Sequence, residues 1–371
     1  MPQARWRDWW VAWRNRRLAD PAFRRRAADF PLTRGVARRQ ALDLFDLVAG
    51  FVYSQALAAC LRLGVLGELA GGPASTADLA RAAGLHDDAA LRLLGAAAAL
   101  GLVEQAGTDR WALGPRGAIL QADAGLRAMI LHNQALYDDL ADPTALLERG
   151  EGDRLAAFWP YAGAVHRSSP PPEAARAYSA LMAATQPTVA EDVLDAYPPG
   201  RHRRLMDVGG GEGVFLAAAA ARAPDLGLTL FDLPPVAAIA RDRAAAGGLA
   251  GRLAIVEGDF HCDPLPKGAD LISLVRILHD QDDTGASRLL RAVREALPPD
   301  GALLIAEPMS GGAGPDRVAD VYFAFYLLAM GRGRARSPDE ITALLRAAGF
   351  SRSRLLRTRS PHLLRVLVAR P

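Results

Sequence analysis

The chain has 371 residues, 50% of them hydrophobic, with 44 basic and 41 acidic side chains and a formal charge of +3. That length holds two or three domains around a sizeable core. The longest uncharged run, residues 47–61, is 15 residues, short of the roughly 20 needed to cross a bilayer, and the first residues lack the apolar core of a secretory signal, so neither an integral membrane protein nor a secreted one is expected.

In chain order, the first forty residues carry eleven Arg against three Asp, so the basic character sits in this arm and the rest is mildly acidic. Lys267 is the single lysine, and Cys60 and Cys262 form no motif, which reads as free thiols in a reducing cytoplasm. In RWRDWWVAWRNRR (5–17), Trp6, Trp9, Trp10 and Trp13 recur at i, i+3, i+4 and i+7. A helix there has one aromatic stripe, with Arg5, Arg7, Asp8, Asn15 and Arg16 on the remainder. Residues 41–130 are helical by pattern. STADLARAAGLHDDAALRLLGAAAALGLVEQ reads as two helices, the first capped at Ser75/Thr76 and the second introduced by Asp87 and Asp88. EQAGTDRWAL then gives a short hairpin around Gly107, and the whole is winged-helix-like. A DNA-binding function is the contrasting reading, but a recognition helix should be cationic and HDDAALRLLGAAAALG holds two Asp and one Arg; no nucleic-acid partner is expected.

Proline-rich SSPPPE (168–173) and YPPG (197–200) punctuate the middle, the second as a domain boundary. Beyond it the pattern alternates. RLMDV, LTLFD, LAIVEG, ADLISLV and ALLIAE read as strands, with helices near 213–223, 235–246, 285–297 and 338–348, and the tail as an antiparallel hairpin. The expected fold class is α/β, a Rossmann-like doubly wound sheet preceded by a mostly helical domain. The expected divisions are a basic arm (1–40), a helical domain (41–200) and a ligand-binding domain (201–371).

LMDVGGGEGVF places Gly209, Gly210, Gly211 and Gly213 between a strand and a helix, where backbone can approach a ligand and helix amides stay free. A glycine-rich turn also serves NAD enzymes. Three further features narrow it. Asp207 precedes the glycines, Asp232 ends the second strand where a carboxylate can take both ribose hydroxyls, and Asp259 with Phe260 can bracket an adenine at the third. This set suits an adenosyl ligand without a pyrophosphate, S-adenosyl-L-methionine before a dinucleotide. No GxxxxGK[ST] run is present.

The order winged-helix-like domain, DVGGGEG, FDLP, GDF, LHD, IAEP resembles the class I O-methyltransferases of the plant and bacterial small-molecule type, from about residue 41 onward. The resemblance implies cofactor contacts at Asp207, Gly209, Gly211, Asp232, Asp259 and Phe260, with Arg276 a further candidate. It implies that His279 of RILHDQDD is the general base and Glu307 of LLIAEP the acid that orients it. Tyr178 and Met182 match the family's aromatic-x-x-x-Met helix at the acceptor site, and Phe325 and Tyr326 of VYFAFYLLAM add aromatics, although core or dimer packing explains such residues equally well. The helical domain serves homodimerisation and substrate enclosure in that family. Two departures stand out: GRGRARS puts Ala335 where the family has a second acidic partner, and Gln281 replaces the aromatic of its LHDW motif. His279, Asp280, Asp282 and Asp283 also resemble a metal cluster, but an acidic helix cap is the plainer reading and no metal is expected.

Among subgroups, WRNRRLADPAFRRRAADFPLTRGVARRQALDLFDLVAGFVYSQ and ILHDQDD resemble the bacterial demethylspheroidene (hydroxyneurosporene) O-methyltransferases. This implies methylation of the 1-hydroxyl of an acyclic carotenoid; a phenolic or polyketide hydroxyl, or a bacteriochlorophyll precursor, is the alternative acceptor. For a lipid-soluble acceptor, the Trp/Arg arm reads as an interfacial helix, giving a cytoplasmic protein in peripheral contact with the inner or photosynthetic membrane through residues 1–40. Packing of the tryptophans against a partner subunit is the other reading.

Overall fold

Apolar side chains that point alternately to opposite faces of a strand must be covered on both sides, and the strands after residue 200 are covered in that way. The computed structural model describes residues 2–158, 172–312 and 318–371; of the proline stretch at 168–173, the first four residues lie outside these. The chain forms two compact units, Met1–Ala122 and Asp123–Pro371.

The first unit is helical: α1 (Pro2–Ala19), α2 (Pro21–Asp29), α3 (Arg34–Arg62), α4 (Val65–Ala70), β1 (Ala74–Ser75), α5 (Thr76–Ala83), α6 (Asp87–Ala99), β2 (Val103–Gly107), β3 (Arg110–Leu113) and α7 (Pro115–Ala122). Ser75 caps α5, its Oγ accepting from the Asp78 amide, as read from sequence. The hairpin forms as expected, β2 antiparallel to β3 and β3 to β1, with Asp109 taking the left-handed conformation at its tip. The tryptophan stripe lies on α1, where Trp6 is 67% and Trp9 58% exposed. The 29-residue α3 is long and apolar enough to cross a membrane by length and composition alone, a test that the core helix of a globular domain also passes; its longest uncharged stretch, 47–61, stays short of a span. Leu44, Phe45, Leu47, Val48 and Phe51 on α3 are all exposed.

The second unit opens with α8 (Ala124–Asp139), α9 (Pro143–Arg149), α10 (Arg154–Phe158) and α11 (Pro172–Ala196), so these four helices belong to the same compact unit as the sheet. There follow β4 (Arg204–Val208), α12 (Val214–Arg222), β5 (Gly227–Asp232), α13 (Pro234–Ala246), β6 (Leu253–Glu257), β7 (Leu271–Val275), α14 (Asp283–Ala296), β8 (Ala302–Glu307), α15 (Ala324–Ala329), α16 (Pro338–Ala347), β9 (Arg352–Leu356) and β10 (Arg365–Arg370). The seven strands lie in the order β6-β5-β4-β7-β8-β10-β9, the first five parallel and β10 antiparallel to both its neighbours, β8 and β9. Strand alternation divides the core: Leu205, Leu228, Leu230 and Leu304 pack with α11 and α12 on one face, and Met206, Phe231, Ile305 and Leu367 with α14 and α16 on the other. Strand order reverses between β4 and β7, and ligands of open α/β sheets bind at the carboxyl ends of the strands beside such a switch.

Candidate active site

The turn after β4 sits at that switch point. Gly209, Gly211 and Gly213 adopt φ of 69°, 59° and 79°, a region that side chains with a Cβ rarely enter. A Cβ on Gly209 would lie 2.5 Å from Cδ1 of Ile277, and one on Gly210 2.8 Å from Asp207 Oδ2. Bare backbone therefore lines the turn. Asp207 lies buried on β4 and accepts a 2.6 Å hydrogen bond from Ser273 Oγ, its cross-strand neighbour on β7. Burial, set against that hydrogen bond, raises its pKa to about 7. Asp232 at the end of β5 accepts from the Gly211 and Leu233 amides, both at 2.8 Å, and burial raises it to about 6 against those two donors. Asp259 accepts from the His261 amide at 2.8 Å, and Phe260 packs half-buried against the core. The predicted adenosyl-binding residues thus converge at the ends of adjacent strands.

His279 lies in a short 3-10 turn, Leu278–Asp280, after β7. Its side chain is buried, with Nδ1 hydrogen-bonded to the Glu307 carboxylate at the end of β8. That carboxylate also accepts from the amides of Leu278 (2.7 Å), Ile277 (3.1 Å) and His279 (3.2 Å). One buried acid thereby fixes both the ring and the backbone carrying it. Nε2 lies 3.1 Å from Asp280 Oδ1, an atom that makes no hydrogen bond among the described residues. Burial disfavours a charged ring, but the Asp280 and Glu307 carboxylates outweigh it and hold the pKa of His279 above its ordinary value. Burial likewise raises Asp280, to about 6.

The GRGRARS loop, which the sequence marked as lacking an acid at Ala335, contributes otherwise. Arg336 is buried and donates to the carbonyls of Leu278 (3.0 Å) and Gln281 (2.7 Å) and to Asp283 (2.8 Å). The Arg334 amide donates to the His279 carbonyl at 2.8 Å, and Gly333 passes so close that a Cβ would stand 2.2 Å from that carbonyl. The turn bearing His279 is therefore held from two sides. Asp282 is the N-cap of α14, accepting from the Gly285 amide, which matches the acidic-cap reading.

Arg276, at φ 59°, turns its guanidinium onto α11, donating to Thr185 Oγ1 (2.8 Å), Gln186 Oε1 (2.6 Å) and the Met182 carbonyl (3.1 Å). Those bonds fix α11 near Pro187, which removes a helical N–H. Tyr178 and Met182 on α11 join Phe325 and Tyr326 in one apolar cluster with Leu146 and Leu155. Sequence reasoning missed Phe158, His132 and Asn133. The Tyr326 hydroxyl bonds His132 Nε2 at 2.9 Å, and that of Tyr322 bonds Asn133 Oδ1 at 2.8 Å. A π-helical turn, Ala319–Phe323, precedes α15, and Phe323 stands edge-on to His279 with centroids 6.1 Å apart.

Two family models match. Residues 139–351 match an O-methyltransferase domain, and residues 45–123 an O-methyltransferase dimerisation domain. The chain is 46% identical to the demethylspheroidene O-methyltransferases of Cereibacter sphaeroides and Rhodobacter capsulatus, over 91% of its length and 89% and 84% of theirs. It is 36% identical to the acetylserotonin O-methyltransferase of Mus musculus, over 89% of each chain. Among solved structures, LaPhzM matches with a TM-score of 0.74 and 27% identity, covering 90% of this chain and 99% of that one. Human N-acetylserotonin methyltransferase in complex with SAM matches at 0.72 and 25%, covering 89% and 97%.

Proposed function

The chain belongs to the O-methyltransferase family, and on that premise we propose that it methylates the 1-hydroxyl of an acyclic hydroxycarotenoid, with S-adenosylmethionine as donor. The observation that carries the acceptor is the 46% identity to two demethylspheroidene O-methyltransferases over 91% of the chain.

When bound, S-adenosylmethionine supplies an electrophilic methyl group on a sulfonium. Asp207, the Gly209–Gly211 turn, Asp232, Asp259 and Phe260 are the residues that would hold it, and the fit rests on the bare backbone at Gly209 and Gly210. His279 gives its Nδ1 proton to the bond with Glu307, leaving Nε2 as the proton acceptor. As the acceptor oxygen gains the methyl group, its proton passes to Nε2. A tertiary alcohol is weakly acidic, so proton removal is concerted with transfer. Purified protein given S-adenosylmethionine and a 1-hydroxycarotenoid in detergent is expected to yield the methyl ether. Failure to do so while a phenol such as N-acetylserotonin is methylated overturns the acceptor assignment.

The pH dependence follows from the ring's surroundings. Only neutral His279 accepts a proton, and its raised pKa moves the onset of activity upward. The turnover number therefore climbs with pH through a midpoint above 6.5. Asp280 and Glu307 raise that midpoint, whereas burial and the Arg276 guanidinium lower it. Asp280→Asn is expected to move it down, and an unmoved midpoint contradicts the role given to Asp280.

The chain acts as a homodimer, a reading supported by the match over residues 45–123, and the exposed apolar side chains of α3 are of the kind a second copy covers. The arm of residues 1–40 reaches a lipid surface: Trp6, Trp9, Trp10 and Trp13 sit at headgroup depth, and Arg24, Arg25, Arg26, Arg38 and Arg39 face anionic lipid, each worth about 1 kcal/mol near the surface. Deleting residues 1–30 is expected to abolish flotation with anionic vesicles. Undiminished flotation assigns the tryptophans to protein packing.

A further inference from the structure

A continuous set of rings leads away from His279 within the second unit. Phe323 stands beside His279; Tyr322 meets Phe323 edge-on at 5.1 Å and stacks on Tyr326 at 5.5 Å. His132 then lies 4.4 Å from Phe158, and Phe158 6.3 Å from Tyr178. Except for Tyr326, these rings beyond His279 are half-buried, so they keep accessible surface that a closed core would not leave. The polar tips are the hydroxyls of Tyr322 and Tyr326 in the middle and of Tyr178 at the far end, and the middle two lie nearer His279 along the set. Each phenol has one proton to donate, and neighbouring residues of α8 engage both hydroxyls, His132 that of Tyr326 and Asn133 that of Tyr322.

We propose that His132 and Asn133 determine acceptor specificity: by engaging the tyrosine hydroxyls, they leave a wall of ring faces next to His279 that favours an apolar polyene over polar aromatic acceptors. The proposal rests on the hydroxycarotenoid reading above. A polyene makes no hydrogen bonds and loses nothing against such a wall. A phenol with polar substituents must shed water there without a donor from Tyr322 or Tyr326 in return, and desolvated polar groups without partners bind poorly. Burial of the His132 ring disfavours its charged form, so one ring nitrogen keeps a lone pair, and in this proposal that nitrogen is Nε2, toward the tyrosine proton. Asp139 holds the start of α10, its carboxylate accepting from the amides of Asp153, Arg154 and Leu155, and so helps to set Phe158 against His132.

The test is the ratio of kcat/KM for a 1-hydroxycarotenoid to that for N-acetylserotonin. In His132→Phe a ring remains but its bond to the Tyr326 hydroxyl is lost, which lowers the cost of seating a polar substrate against this wall. The ratio is expected to fall about tenfold, in the range of one hydrogen bond gained or lost. His132→Gln retains an acceptor and is expected to keep the wild-type ratio. In a Tyr326→Phe background, His132→Phe should cause no further fall, since the bond it breaks is already gone. Affinity for S-adenosylhomocysteine reports that each variant is folded. An unchanged ratio in folded His132→Phe, or an equal fall in the Tyr326→Phe background, overturns the proposal. Absence of transfer from the wild-type protein to the carotenoid is a different failure, visible before any variant is compared, and overturns the acceptor assignment itself.

Discussion

Replacing His279 with Asn is expected to lower the turnover number by about 10²–10⁴-fold, the range that a positioned general base supplies. Asn fills much of the same space and can still donate toward Glu307, so the turn Leu278–Asp280 should keep its place; what disappears is the basic nitrogen at Nε2. Affinity for S-adenosylhomocysteine is expected to stay within a few-fold, because none of the groups placed around the glycine turn is touched. Residual activity measures how much alignment of the two reactants achieves without a base. A loss smaller than tenfold reduces His279 to a positioning residue. That outcome would agree with the departures at Ala335 and Gln281 and would leave alignment as the main source of rate.

Glu307→Leu should act on stability as well as rate. The carboxylate is 2% exposed and holds three backbone amides together with the His279 ring. Removing it leaves several buried donors without an acceptor, each unfavourable by about 1–3 kcal/mol, and strands the raised His279 beside Asp280 alone. Loss of one partner from a buried pair typically destabilises by about 3–5 kcal/mol, and denaturant unfolding should show a shift of that size in the second unit. Glu307→Gln keeps a carbonyl oxygen for two of the amides and should fall well short of it. Equal stability of Glu307→Leu and wild type would mean that the amides find other partners and that Glu307 does not organise the turn.

The glycine turn and its strands were legible because their signals are local. Alternation at period two marks a strand, Gly209, Gly211 and Gly213 mark positive φ, and the carboxylates at the strand ends follow from register. The pair His279 and Glu307 was legible only as motif, since 28 residues separate partners that meet because β7 and β8 are adjacent. Contacts without a local signature escaped. His132 and Tyr326 lie 194 residues apart, and no periodicity on α8 singles out a histidine that bonds a tyrosine beyond β8. Arg336 escaped for another reason: in an arginine-rich sequence it looks like any other, and only its burial against Leu278, Gln281 and Asp283 distinguishes it.

The account is tested most directly by the fate of a labelled methyl group in competition. Methyl-labelled S-adenosylmethionine, a 1-hydroxycarotenoid and N-acetylserotonin are offered together to the full chain in the presence of anionic vesicles, and the products are separated and weighed. The account predicts label in a methoxy group on the carotenoid carbinol carbon, and its loss when His279→Asn replaces the wild-type protein. Label in the phenol with none in the carotenoid, or carotenoid labelling undiminished by His279→Asn, would contradict it.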